Sequence, residues 1–213
     1  LVQAKIQEAI EKRGAAYDFD VVSNPEFLRE GAAINDFMHP DRIVIGTNSE
    51  TARDIMKSVY RVLFLNNHPF VFTDVESAEL IKYASNAFLA TKITFINEMA
   101  NLCEVIGGNI KDVARAMGLD KRIGKFFLHP GPGYGGSCFP KDTKALVNIA
   151  EGYNIDLKIT NSAIKANEIQ KLKMVDKIQK RMEYLNNRKI AILGISFKAE
   201  TDDIREAPAI TII

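Results

Sequence analysis

From Val75 to Ile106 the chain contains no glycine and no proline. A stretch of that length with no breaker reads as one long helix, and Gly107-Gly108 supplies its end. Its apolar positions include Leu80, Ile81, Ala84, Phe88, Leu89, Ile93, Phe95, Ile96 and Leu102. They spread over much of the circumference, which predicts a helix buried on several sides. Such a helix can serve as a spine between two domains and as a dimer contact. Lys82 and Asn86 stand one helical turn apart on it, within an otherwise apolar stretch. A buried lysine can act as a base or a hydrogen-bond donor. It can equally be an interfacial lysine whose stem packs while its ammonium reaches water.

The second constraint is the run Gly131-Pro132-Gly133-Tyr134-Gly135-Gly136-Ser137-Cys138-Phe139-Pro140-Lys141-Asp142. Glycines let a backbone approach a ligand closely, and Pro140 suits the first turn of a helix running to about Tyr153. Cys138 then sits at or just before a helix N-terminus with Lys141 close behind, and both features favour a thiolate. A cysteine so placed reads as a nucleophile. Asp142, four residues on, faces the same side. Cys103 lies inside the long helical pattern and reads as a small buried hydrophobe.

The flanking segments alternate. Residues 1–13 read as an amphipathic helix with Val2, Ile6, Ala9 and Ile10 on one face, and Tyr17–Ser23 as a strand. Asn24, Pro25 and Gly31 read as cap, first residue and end of a helical turn, which would put Glu26 and Glu30 on one face. Two acids there could be ligand groups at the end of a strand or a solvated helix start. Asp41–Gly46 reads as a strand, Glu50–Leu65 as a helix with Ile55, Val59, Val62 and Leu63 inward, and Pro69–Thr73 as a strand. Helices follow near Ile110–Met117 and at Lys158–Leu185. Lys189–Ile195 reads as a buried strand, followed by a polar loop with Lys198 and Arg205, suited to ligand phosphates, and a helix from Glu206.

The fold class expected is an α/β fragment with a mainly α-helical centre: the end of a Rossmann-like domain (1–74), a long-helix dimerisation domain (75–187) and the start of a second Rossmann-like domain (188–213). A chain of 213 residues with 46% hydrophobic content can bury such cores. Twenty-eight basic against 27 acidic residues leave no excess for nucleic acid. No apolar run approaches a membrane span. Two cysteines and three histidines make neither a disulfide framework nor an obvious zinc site. A reducing, cytoplasmic setting is expected.

Four motifs in order carry a resemblance that covers essentially the whole chain: Asn24–Gly31 (NPEFLREG), Glu79–Asn86 (ELIKYASN), Gly135–Asp142 (GGSCFPKD), and Phe197-Lys198 through Arg205-Glu206. The chain resembles the UDP-glucose/GDP-mannose dehydrogenase family. The resemblance implies NAD-dependent, two-step oxidation of a nucleotide sugar at C6 to a carboxylate. It implies Cys138 as the nucleophile, passing through a thiohemiacetal and a thioester. It implies Lys82 and Asn86 at the C6 oxygen, Asp142 assisting the lysine or ordering water, and Glu26 as base in thioester hydrolysis. Glu30 and Lys141 are implied near the cofactor, and Arg205 near its phosphates. Phe27, Leu28, Arg29, the loop with Gly131, Gly133, Tyr134 and Gly135, Phe197 and Lys198 are implied at the sugar nucleotide, with Arg122 reaching the substrate of a partner subunit. No Gly-x-Gly-x-x-Gly opens the chain, a departure from the family pattern. Residues around the cysteine look more like the UDP-glucose branch. A GDP-mannose or UDP-N-acetylhexosamine enzyme, and a noncatalytic dimerisation module, are the alternatives.

Overall fold

The computed structural model describes residues 1–65, 67–182 and 184–213, Phe64 by its backbone alone. It divides into two compact units, residues 1–82 and 83–213.

In the first unit, α1 (Val2–Lys12) is helical as predicted, but none of its residues is buried. No strand forms over 17–23. Only Ser23 pairs, in a single bridge to Gly46. A strand exists by virtue of a ladder partner, and residues 17–22 have none among the described residues. Asn24 and Pro25 start no helix. The Asn24 side chain instead donates to Val44 O at 2.7 Å and accepts from the Tyr60 hydroxyl. These long-range bonds outcompete the local capping role. The helix that does form is α2 (Ala33–Met38), so Glu26 and Glu30 do not share a helical face.

Strand β1 (Ile43–Gly46) lies parallel to β2 (Phe70–Thr73), with Ile43 opposite Phe70 and Gly46 opposite Thr73. All four β1 residues are buried, the continuous apolar run of a strand covered on both faces. The connection holds α3 (Glu50–Val59), capped by Ser49, whose Oγ accepts from Ala52 N, and α4 (Arg61–Leu65). The single helix expected here breaks at Tyr60, which leaves helical geometry (ψ 18°). Tyr60 turns into the cluster formed by Ile43, Ile45, Leu63, Met56 and Phe70. Of the four residues expected inward only Leu63 is. Ile55, Val59 and Val62 are exposed, because the stripe Ala52–Met56–Tyr60 faces the sheet instead. Two apolar stripes run down this segment, and periodicity does not choose between them.

Helix α5 spans Val75–Ile106 as predicted. Gly107 ends it with a φ of +76°, and Gly108 N–H donates to Cys103 O at 2.9 Å, the closure that needs a left-handed residue. The second unit contains the remainder of α5 with α6 (Ile110–Leu119), α7 (Cys138–Glu151), α8 (Lys158–Met182) and α9 (Pro208–Ile212). The Lys158 helix is described to Met182; its expected continuation crosses Glu183, outside the described residues. Ala87, Ala90 and Thr94 are buried on one face of α5, where Thr94 Oγ1 reaches Ala163 O of α8 at 3.5 Å, and Ile96 and Cys103 are buried on another. Small residues let the two backbones approach. Of the apolar residues expected to be covered, Ile96 is buried while Phe88, Phe95 and Leu102 remain exposed, so the apolar circumference is covered only in part. Residues 189–195 form no strand, again for want of a ladder partner among the described residues. No helix among the described residues is long and apolar enough to cross a membrane.

Candidate active site

Cys138 is the first residue of α7, with Ser137 before it. Pro140 lies in the first turn, where its missing N–H is no loss. Asp142 follows one turn on and is 1% exposed. A carboxylate so deeply buried requires its lone pairs to be met. Asn86 Nδ2 donates to Asp142 Oδ2 at 2.6 Å, and Lys141 Nζ lies 2.8 Å from Asp142 Oδ1. That hydrogen bond to Asp142 holds the Lys141 ammonium above its ordinary range, and the Asp142 charge adds to the effect. Four of the expected residues, Cys138, Asn86, Lys141 and Asp142, are thus gathered at one helix start within the second unit.

The loop before the cysteine is held from two sides. Asn167 of α8 bonds both backbone groups of Tyr134, and Asn97 of α5 and Gln170 of α8 bond those of Gly131. Burial pushes the Tyr134 phenol up to about 12. Gly133 packs beside Asn167 and Lys171. A Cβ at Gly135 would stand 2.4 Å from Glu206 O, so only glycine fits there. Gly136 N–H donates to Arg205 O at 2.8 Å, and the Phe197 ring covers Gly136. Lys198 Nζ sits 5.4 Å from the centroid of that ring. Arg205 is engaged with Asp203 through Nε and Nη2. Glu206 is held below the usual carboxylate range chiefly by its hydrogen bond to Lys144. Arg122 folds back on Asp120, lowering that carboxyl, yet its side chain is 89% exposed.

In the first unit Lys82 Nζ donates to Glu26 O at 2.6 Å and to Glu26 Oε1 at 3.0 Å. Its side chain is 17% exposed, so it is close to the buried lysine that the sequence suggested. Glu26 Oε2 also accepts from Leu28 N–H at 2.6 Å, closing a tight local turn. The Phe27 ring lies under both Lys82 and the Arg42 guanidinium. Arg29 is committed to Asp36 by a bidentate pair, which raises its already high pKa. Glu30 is half-buried in the turn that leads to α2.

Sequence reasoning missed Asn97, Asn167, Gln170, Lys171 and Asp36. A signal for three of them was present: Asn167, Gln170 and Lys171 are spaced i, i+3, i+4, one face of a helix. All three are buried. Patterns of apolar residues do not reveal an inward polar face.

Two family models match the chain. The NAD binding domain of the UDP-glucose/GDP-mannose dehydrogenase family covers residues 1–64, and its central domain covers residues 76–169. The chain belongs to the UDP-glucose/GDP-mannose dehydrogenase family. It is 53% identical over 202 residues to a UDP-glucose 6-dehydrogenase of Rickettsia felis, covering 94% of this chain and 45% of that one. It is 53% identical over 212 residues to a UDP-glucose 6-dehydrogenase of Rhizobium meliloti, covering 98% and 48%. A UDP-glucose dehydrogenase structure from the hyperthermophilic archaeon Pyrobaculum islandicum matches with a TM-score of 0.91 at 40% identity, over 97% of this chain and 47% of that one. The chain therefore spans about half the length of the family members it matches.

Proposed function

We propose that the full-length protein oxidises UDP-glucose to UDP-glucuronate with two NAD, and that this chain carries its covalent chemistry. Residues 1–74 would be the end of the NAD-binding domain, 75–187 the central domain and 188–213 the start of the nucleotide-sugar domain. The observation that carries the reading is the gathering of Cys138, Lys141, Asp142 and Asn86 at the start of α7. A cysteine followed by a partnered, buried carboxylate and a cation is a built nucleophile site rather than a packing position. The relatives named above, all UDP-glucose enzymes, support the choice of sugar. Cytoplasmic placement belongs to the same reading.

The residues present fit part of an NAD site. In the first unit, the parallel β1–β2 pair is the sheet type that dinucleotide folds use; Lys141 and Arg205 of the second unit are assigned to the cofactor through the family motifs alone. Glu30 is assigned to the same cofactor through its motif. When bound, the dinucleotide supplies the hydride acceptor. Cys138 Sγ adds to the C6 aldehyde carbon, carries the acyl group as a thioester and is released when water attacks. Lys82 and Asn86, which enter this reading through the family motif, stabilise charge on the C6 oxygen. Glu26 takes the proton of the attacking water, and Asp142 holds Asn86 in place.

Glu26→Gln in a full-length enzyme should leave the hydride steps nearly intact and slow thioester hydrolysis by about two orders of magnitude or more. Rapid mixing with NAD and UDP-glucose should give a burst of about two NADH per site, and mass spectrometry an adduct on the peptide carrying Cys138. A Glu26→Gln enzyme with neither burst nor adduct refutes Glu26 as the base. Lys82→Ala should instead slow the steps from alcohol and aldehyde alike.

We infer also that the chain dimerises through α5. Phe88, Phe95 and Leu102 recur every seven residues and are exposed, a stripe suited to a second helix. Sedimentation at micromolar concentration should read twice the 23.8 kDa of the chain. A species of single mass would end this inference.

A further inference from the structure

Asn97, Asn167 and Gln170 are 2%, 2% and 6% exposed, and none has a place in the chemistry above. Buried amides cost stability unless bonded, so their partners reveal what they are for. Asn167 Nδ2 donates to Tyr134 O at 3.0 Å, and Asn167 Oδ1 accepts from Tyr134 N–H at 2.8 Å. This two-bond exchange is what a residue on a neighbouring strand would provide. Gln170 Nε2 donates to Gly131 O at 2.9 Å, and Asn97 Oδ1 accepts from Gly131 N–H at 2.7 Å. Gln170 is itself oriented by Asn101, whose Nδ2 donates to its Oε1 at 2.8 Å.

The segment 129–136 has no regular secondary structure. Yet the backbone donors and acceptors of Gly131 and Tyr134 all end on side-chain amides from two helices. Asn97 adds a further indication. Its Nδ2 is buried with no partner among the described residues, and it borders a cavity of about 80 Å³ between α5 and α8. Flipping the amide would set a donor against Gly131 N–H, so the unpaired donor is the cost of keeping that bond.

We propose that Asn97, Asn167 and Gln170 are positioning residues that hold the Gly131–Gly136 loop as a surrogate strand, and so set affinity for the nucleotide sugar without touching it. The proposal rests on the reading of that loop as sugar-binding. Hydrogen exchange in the 213-residue chain tests the clamp directly, and the affinity of a full-length enzyme for UDP-glucose tests its consequence.

In Asn167→Leu, which keeps side-chain bulk but removes both bonds, the Tyr134 amide should exchange about 25-fold faster, roughly a factor of five per lost bond. Amides within α5 and α8 should keep their protection. Asn97→Leu should act on the Gly131 amide alone. In the full-length enzyme the Kd for UDP-glucose should rise about five- to 25-fold as the competent loop population falls, with the Kd for NAD unchanged. An unaltered Tyr134 exchange rate overturns the clamp. Equal acceleration across α5 and α8 makes these residues mere fold supports and also overturns it, as does a freed loop with unchanged UDP-glucose affinity. A wild-type enzyme that binds UDP-glucose but forms no NADH would sink the reaction proposed above, while exchange and affinity would still decide the clamp.

Discussion

Cys138→Ser in a full-length enzyme is expected to lower overall turnover by about three or more orders of magnitude, the scale seen when a covalent nucleophile is removed. The hydroxyl sits in the same place, at the first residue of α7 with Lys141 and Asp142 one turn behind. What changes is nucleophilicity, because a serine there has no base shown to activate it. The variant should therefore stop after aldehyde formation or retain a stable ester. Cys103→Ser is the control. Cys103 is 7% exposed within α5, and its substitution should cost about 1 kcal/mol of stability while turnover stays largely intact. NADH release under single-turnover conditions and the intact mass of each variant separate the outcomes. Equal loss in both would mean that folding, not chemistry, depends on the thiols, and the assignment of Cys138 would fall.

Gly135→Ala should cost about 3 kcal/mol, at the upper end of what overpacking does. The Tm should fall by about 6–12 °C for a chain of this size. The added methyl would stand 2.4 Å from Glu206 O, 2.9 Å from Glu206 C and 3.0 Å from Ala207 Cα. These are backbone atoms, and no rotamer change can move them aside. Glu206 is already held at a φ of +52°, which narrows its room to yield. Gly131→Ala provides the comparison in the same loop. Nothing lies within 4 Å of its added Cβ, so its stability should stay within about 0.5 kcal/mol of the parent. Thermal unfolding of the two variants checks the contrast. Equal melting temperatures would show that residues 205–207 do not close against the loop.

Much of this chain could be read without coordinates. The bounds of α5 followed from where glycine and proline are absent, since helix formation depends on each residue's own backbone and neighbours. The start of α7 followed from Pro140 and the glycines before it, and β1 and β2 from short apolar runs. Cys138 could be picked out because its neighbours announce a loop-to-helix junction, whereas Cys103 sits in plain helix.

Other features depend on partners that no local window contains. Residues 17–23 and 189–195 have strand composition but no ladder within the described chain, so they remain outside any sheet. Asn24 has the chemistry of a cap and is used instead by Val44 and Tyr60. Ala52, Met56 and Tyr60 won the inward face over Ile55, Val59 and Val62 because of what the sheet presents to them.

Residue order alone was enough to bound α5, to place the start of α7 and to single out Cys138 as the candidate nucleophile. How the polar groups around it pair was settled by packing in three dimensions. Asn86 and Asp142 lie 56 residues apart and meet at 2.6 Å, and Asn167 closes on Tyr134 across 33 residues. A hydrogen bond requires placement to within a few tenths of an ångström and a favourable angle. That placement is set by how whole helices pack, and packing is a property of their joint surfaces rather than of any one segment.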